Sequence, residues 1–246
     1  MKLFSVLLSV TLLPVLAFAQ EEGPWPEPSP ESQAYHDYRM KLTTPPYGLE
    51  KVKTMISKAV SVGEEEGEGE AIRPKDYLTL SLREKFTYHM IHTEAYSQNC
   101  DATPPIIDEH KKIFARLPDI FGEGNWSIRQ RDFLVSNRDS VLAIIEESAN
   151  RSKRLGANYK MAIVEVNGLE MIPFLIEFYK RDYKDHDILT TLLLLMNGVK
   201  YPPFVQSTSY AKLYGPNSNY GAWLQYNKAN EDLIFQRAMA LFNSMN

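Results

Sequence analysis

The residue types and spacing most suited to chemistry occur in the run His89-Met90-Ile91-His92. Two imidazoles three positions apart on one helix can reach the same zinc ion. Zinc would need a third protein ligand and usually a fourth, and the HExxH pattern of helical zinc sites is missing. Glu94 falls on a different face, and His89 lies between Leu82, Phe86 and Tyr96 on an apolar stripe. Packed, hydrogen-bonded histidines are therefore expected. A metal-dependent, hydrolase-like site around His89 and His92 is the rival.

The other candidates have weaker patterns. His110 falls between Ile106, Ile107, Ile113 and Phe114 on a predicted helix and reads as a core histidine. Cys100 is the only cysteine, so it can form no disulfide within the chain; a buried, inert thiol is expected, with pairing to a second chain as the other possibility. No recognised nucleophile motif surrounds Asn99-Cys100-Asp101. Gly122-Glu123-Gly124-Asn125 lacks the preceding strand and the Lys-Ser/Thr ending of a phosphate loop and reads as a turn. Tyr201, Phe204, Tyr210, Tyr214, Tyr220, Trp223 and Tyr226 make the C-terminal third aromatic, which suits carbohydrate or protein contact and equally suits gap-filling between irregular helices. Asn125-Trp126-Ser127 and Asn150-Arg151-Ser152 match a glycosylation sequon. No residue is assigned as catalytic, cofactor-binding or metal-ligating, and no cofactor is expected.

The elements that must position these residues read as helices. Leu49, Val52, Met55, Ile56 and Ala59 share a helical face. Capping boxes at Ser81 to Glu84 and Ser127 to Gln130 open two more helices. Thr103 and Pro104 are expected to start a helix running through Ile106 to Leu117, and Asn137 to cap one that ends at Gly156. Further helices are predicted at 159–167, 169–181, 186–196, 207–214 and 230–243, the last capped by Asn230. Period-two runs are scarce; the exception, Ala162 to Val166 before Asn167-Gly168, also fits a hairpin.

The first 19 residues follow the order of a secretory signal peptide: Lys2, an apolar stretch from Leu3 to Leu16, then Ala17-Phe18-Ala19. Cleavage after Ala19 and a periplasmic or secreted destination are expected, with no membrane span in the mature chain. Residues 20–32 carry Pro24, Pro26, Pro28 and Pro30 and read as an extended leader. Residues 33–246 then form one helical domain, interrupted by an acidic Gly/Glu loop at 63–70 that lacks the ligand spacing of a calcium loop. The formal net charge of −4 and the lack of a basic run disfavour nucleic acid as a partner.

Two stretches about 30 residues apart look alike: Val141 to Ile145 against Ile172 to Ile176, and Ala162 to Gly168 against Leu192 to Gly198. This favours a helix at Ala162 to Val166. Gly168 to Glu177, with Pro173 early in the segment, followed by Asp185-His186-Asp187-Ile188-Leu189 and an apolar helix, resembles one unit of the short HEAT-type repeats. The resemblance covers about 40 residues clearly. It implies an all-α fold of stacked helical hairpins, a short and irregular α-solenoid, and it carries over no catalytic residue. The expected role is a non-catalytic binding or scaffold protein of the cell envelope whose partner is another protein. A metal-dependent hydrolase or a secreted carbohydrate-binding protein is the alternative.

Overall fold

Twelve α-helices and three two-stranded sheets make up the described part of a computed structural model, which covers residues 25–62, 69–99 and 104–245. The signal-peptide stretch, the start of the leader, Cys100 and most of the acidic loop lie outside the described residues.

Where caps are local, the sequence signals operate as expected. Helix α1 (Pro30–Met40) begins within the Pro-rich stretch, with Pro30 in its first turn and the Ser29 hydroxyl accepting from the Ser32 N–H. Helix α2 (Leu49–Ile56) follows Gly48, whose φ of 61° requires the left-handed region. Strands β1 (Val60–Val62) and β2 (Gly69–Ala71) pair antiparallel, so the end of the stretch read as a loop is strand. The short α3 (Pro74–Tyr77) precedes α4 (Leu82–Ile91), where Ser81 and Glu84 form the full capping box. Strand β3 (Ala95–Tyr96) pairs with β5 (Gly124–Asn125). Ser127 and Gln130 then form the second capping box, opening α5 (Ile128–Ser136).

The helix expected from Thr103 to Leu117 is not there. Pro104 and Pro105 are followed by a single 3₁₀ turn, Glu109–Lys111, and then by β4 (Lys112–Phe114). β4 pairs antiparallel with β6 (Trp223–Gln225), in the register Lys112↔Gln225, Ile113↔Leu224 and Phe114↔Trp223. Ile113 and Ala115 face the core, whereas Lys112, Phe114 and Arg116 line the opposite side. This is the period-two alternation of a half-buried strand.

The remaining helices are α6 (Arg138–Ser152), α7 (Ala157–Glu165), α8 (Ile172–Tyr179), α9 (His186–Gly198), α10 (Pro202–Val205), α11 (Thr208–Tyr214) and α12 (Lys228–Asn243). The hairpin alternative at Ala162 to Val166 is thereby excluded. Two terminators differ from expectation. α6 stops at Lys153, whose φ is 56°; Gly156 instead precedes α7, where an added Cβ would lie 2.3 Å from the Thr43 nitrogen. α12 is capped by Asn227, which accepts from the Asn230 N–H at 2.9 Å.

α9 is buried on nearly every side from His186 to Met196, as a helix apolar all round must be. It packs against α7, α8, α12 and β4. Each of its buried leucines, Leu189, Leu192, Leu193 and Leu195, contributes about 1.5–3 kcal/mol by leaving water. The fold is thus mainly α around one central helix. Among the described residues no helix is long and apolar enough to cross a membrane.

Candidate functional site

The two histidines of the proposed metal motif are separated by the end of their helix. α4 stops at Ile91, and His92 follows in extended conformation with φ −147°. His92 Nε2 lies 2.6 Å from the Glu70 carbonyl oxygen on β2. His89 is fully buried, with Nε2 2.9 Å from the Tyr77 hydroxyl and Nδ1 3.0 Å from Gln130 Nε2.

The Gln130 amide sets the proton on His89. Its oxygen accepts from the Glu94 and Ser127 N–H groups, so its nitrogen must donate, to His89 Nδ1 and to the His92 carbonyl. Nδ1 is then an acceptor, and Nε2 carries the hydrogen and donates to Tyr77. Burial, with the Arg129 charge added, holds the imidazole well below its ordinary pKa. Glu94, beside it, accepts from the Tyr88 and Ser127 hydroxyls and pairs with Arg129. His89 is a structural group here, neutral and fully engaged. Among the described residues no three His, Cys, Asp or Glu side chains converge to hold a metal ion.

A second buried cluster surrounds the acidic turn that begins α9. Lys160 Nζ on α7 donates to both Asp185 oxygens at 2.6 and 2.8 Å. Asp185 stands at the N-cap position, but its side chain makes no cap bond, because Lys160 holds both oxygens. Burial pushes its carboxyl up, against the pull of the Lys160 ammonium. From α1, Arg39 donates to both Asp187 oxygens at 3.0 and 2.8 Å and to Glu109 at 2.6 Å. The other Glu109 oxygen is 2.9 Å from His36 Nδ1. His186, between the two aspartates, stacks on Tyr226 with ring centroids 3.6 Å apart. Its Nδ1 is buried without a partner. Burial lowers its pKa to about 4.

This ionic floor underlies a concave surface of mixed apolar, aromatic and charged lining. A cleft of about 310 Å³ opens between α1, β4 and β6, with Arg39 and Glu109 at its base. Its apolar walls include Met40, Ile106, Phe114 and Leu117. Its cations lie over rings: Arg39 over Phe114 at 4.3 Å, Lys112 over Trp223 at 4.8 Å and Arg116 over Tyr220 at 5.0 Å. Each contact is worth on the order of 0.5–1 kcal/mol when exposed. An adjoining depression of about 350 Å³ shares His36, Ile106 and Glu109 and extends to Trp25 and Pro28.

Of the aromatic residues singled out in the C-terminal third, Tyr220 and Trp223 line this cleft, while Phe204 is fully buried and Tyr201, Tyr210, Tyr214 and Tyr226 pack against the main core. Reading 103–117 as helix hid Lys112, Phe114 and Arg116. The signal that could have found them was the alternation Lys112-Ile113-Phe114-Ala115-Arg116. His110, expected in a helical core, lies in the 3₁₀ turn and is half-buried, its Nδ1 without a partner.

Comparison with protein-family profiles, with characterised proteins and with solved structures finds no match to this chain. The fold and the site therefore define only a class: a mainly helical protein with an aromatic, cationic cleft above buried ion pairs.

Proposed function

We propose that the chain is a non-catalytic binding protein that works through the cleft between α1, β4 and β6. One observation carries this reading: the buried carboxylates and cations beneath the cleft are bound to one another, while the cleft's rings and cations face a concave surface. Arg39, Glu109, Asp187, Lys160 and Asp185 are joined in ion pairs, and His89 is held at both nitrogens. Pairing of this kind fixes shape. Concave surfaces with apolar walls and a few convergent polar groups take ligands. Export is part of the proposal, with residues 1–19 a cleaved signal peptide, a periplasmic or secreted destination, and a cell-envelope protein as partner. The rings of Tyr220 and Trp223 favour carbohydrate as the second reading.

The finer architecture is also a proposal: α7 to α9 as HEAT-like hairpins. Pro173 in the first turn of α8, and the packing of α7 and α8 on α9, support it. So do two matching helix ends. Asn167, φ 50°, follows α7, and the Gly168 N–H donates to the Ile163 carbonyl; Lys200, φ 52°, follows α9, and the Tyr201 N–H donates to the Met196 carbonyl. The structural counterpart of Asn167 is thus Lys200, three positions beyond the Asn197 that sequence similarity pairs with it.

Site-specific photocrosslinking tests the binding reading. A photoreactive residue at Tyr220, 70% exposed in the cleft wall, is compared with one at Val135, 53% exposed on α5. Adducts resolved by intact mass are expected from Tyr220 only. Equal labelling at both positions, or stoichiometric zinc lost on His89→Ala, overturns it.

A further inference from the structure

We propose that the cleft takes a small organic carboxylate with an apolar body, its anionic end on Lys112 and Arg116 and its body against Ile106, Phe114 and Leu117. This rests on the cleft being a ligand site and deepens that reading to a chemical class. Size sets the first limit. A volume of about 310 Å³ corresponds to about ten water molecules at their share of liquid volume and lies at the lower end of small-molecule pockets.

Charge sets the second. Arg39 and Glu109 occupy the floor but satisfy one another, and their remaining positions are taken by Asp187 and His36. Lys112 and Arg116 differ: among the described residues neither forms an ion pair, and each stands over an aromatic ring. Strand alternation puts both on the cleft side with Phe114 between them, so two cations flank an apolar surface. The cleft's remaining carboxylate, Asp119, forms no ion pair with either cation among the described residues, and burial raises its pKa. An incoming carboxylate would gain a planar, two-pronged donor from Arg116 and a point charge from Lys112.

The cations over these rings count against a neutral sugar. Trp223 carries Lys112 at 4.8 Å and Lys212 at 5.1 Å, and Tyr220 carries Arg116. A pyranose stacking on these rings would have to share them with cations that attract an anion more strongly. An apolar acid uses both halves of the cleft, whereas a sugar uses neither fully.

Calorimetric titration of the mature chain with 4-phenylbutyrate, its neutral amide, glucuronate and cellobiose tests this. Phenylbutyrate is expected to bind, the amide about a hundredfold more weakly, as the loss of two charge-assisted contacts implies. Glucuronate and cellobiose are expected to be weaker still. Arg116→Met and Lys112→Met should each weaken phenylbutyrate about tenfold and leave amide binding unchanged; matching amide affinities also verify that the variants fold. Equal affinity for acid and amide, no binding of either, or preference for cellobiose overturns the proposal. Failure here together with selective crosslinking at Tyr220 would reject the carboxylate class and leave the binding reading standing. Failure of both rejects the cleft altogether.

Discussion

Arg39 and Asp187, separated by 148 positions in sequence, meet in a two-pronged ion pair with N···O distances of 3.0 and 2.8 Å, which locks α1 onto the start of α9. Both side chains are almost fully buried. Arg39→Met leaves Asp187 and Glu109 buried without their cation and is expected to cost about 3–5 kcal/mol. Arg39→Met combined with Asp187→Leu should recover part of that loss. Urea midpoints of the single and double variants measure both; a single-variant loss below about 1 kcal/mol would show that water replaces the arginine.

Lys160 offers a test with a pH signature. Without its ammonium, the Asp185 carboxyl, already raised above its ordinary 3.8 by burial, keeps its proton to still higher pH. The folded variant then holds a proton that the unfolded chain releases, so its relative stability falls as pH rises. The deficit of Lys160→Met against wild type is expected to be larger at pH 8 than at pH 5. The same deficit at both values would show that Asp185 stays charged or becomes hydrated.

His186 acts in the opposite direction. Its folded pKa is lowered to about 4 by burial; the Lys112 carbonyl and the Asp187 and Glu231 charges oppose the shift, and His110 adds to it. Between pH 6.5 and 4 the unfolded chain binds the proton and the folded chain does not. The contribution is present above pH 6.5 and lost as pH falls through that window. By pH 5 the loss is about 2 kcal/mol relative to pH 8. His186→Phe, which keeps a ring against Tyr226, should flatten that part of the stability profile. Parallel profiles for variant and wild type would remove His186 as the cause.

Gln130 serves two backbone N–H groups, one carbonyl and the His89 ring. Gln130→Leu preserves approximate volume but leaves these groups unmatched, at an expected cost of about 3 kcal/mol. Nitrogen shifts of the His89 ring should report the Nε2–H tautomer in wild type and a mixture in the variant. A single, unchanged tautomer would mean that Tyr77 alone sets the proton.

Much of this architecture was legible from local sequence. Ser81 with Glu84 and Ser127 with Gln130 mark helix starts because the bonds they make span three residues. The α7 helix followed from similarity to the leucine run of α9. What failed depended on distant partners. Ile113 reads as helical until Leu224 lies opposite it, and Asp185, though it stands at the N-cap position of α9, gives both side-chain oxygens to Lys160. The cleft is harder still, because Arg39, Arg116 and Trp223 meet only after α1, β4 and β6 assemble.

The pairing of β4 with β6 also sets a clock on the molecule's birth. At synthesis rates of about 5–20 residues per second, the roughly 110 residues between the two strands take on the order of 5–20 seconds to emerge. Throughout that interval Lys112 on β4 and Arg116 just beyond it have no Trp223 or Tyr220 ring to lie against. Once made, α9 packs on α7, α8 and β4 but lacks α12 until Lys228–Asn243 emerges. The cleft is among the last features to exist.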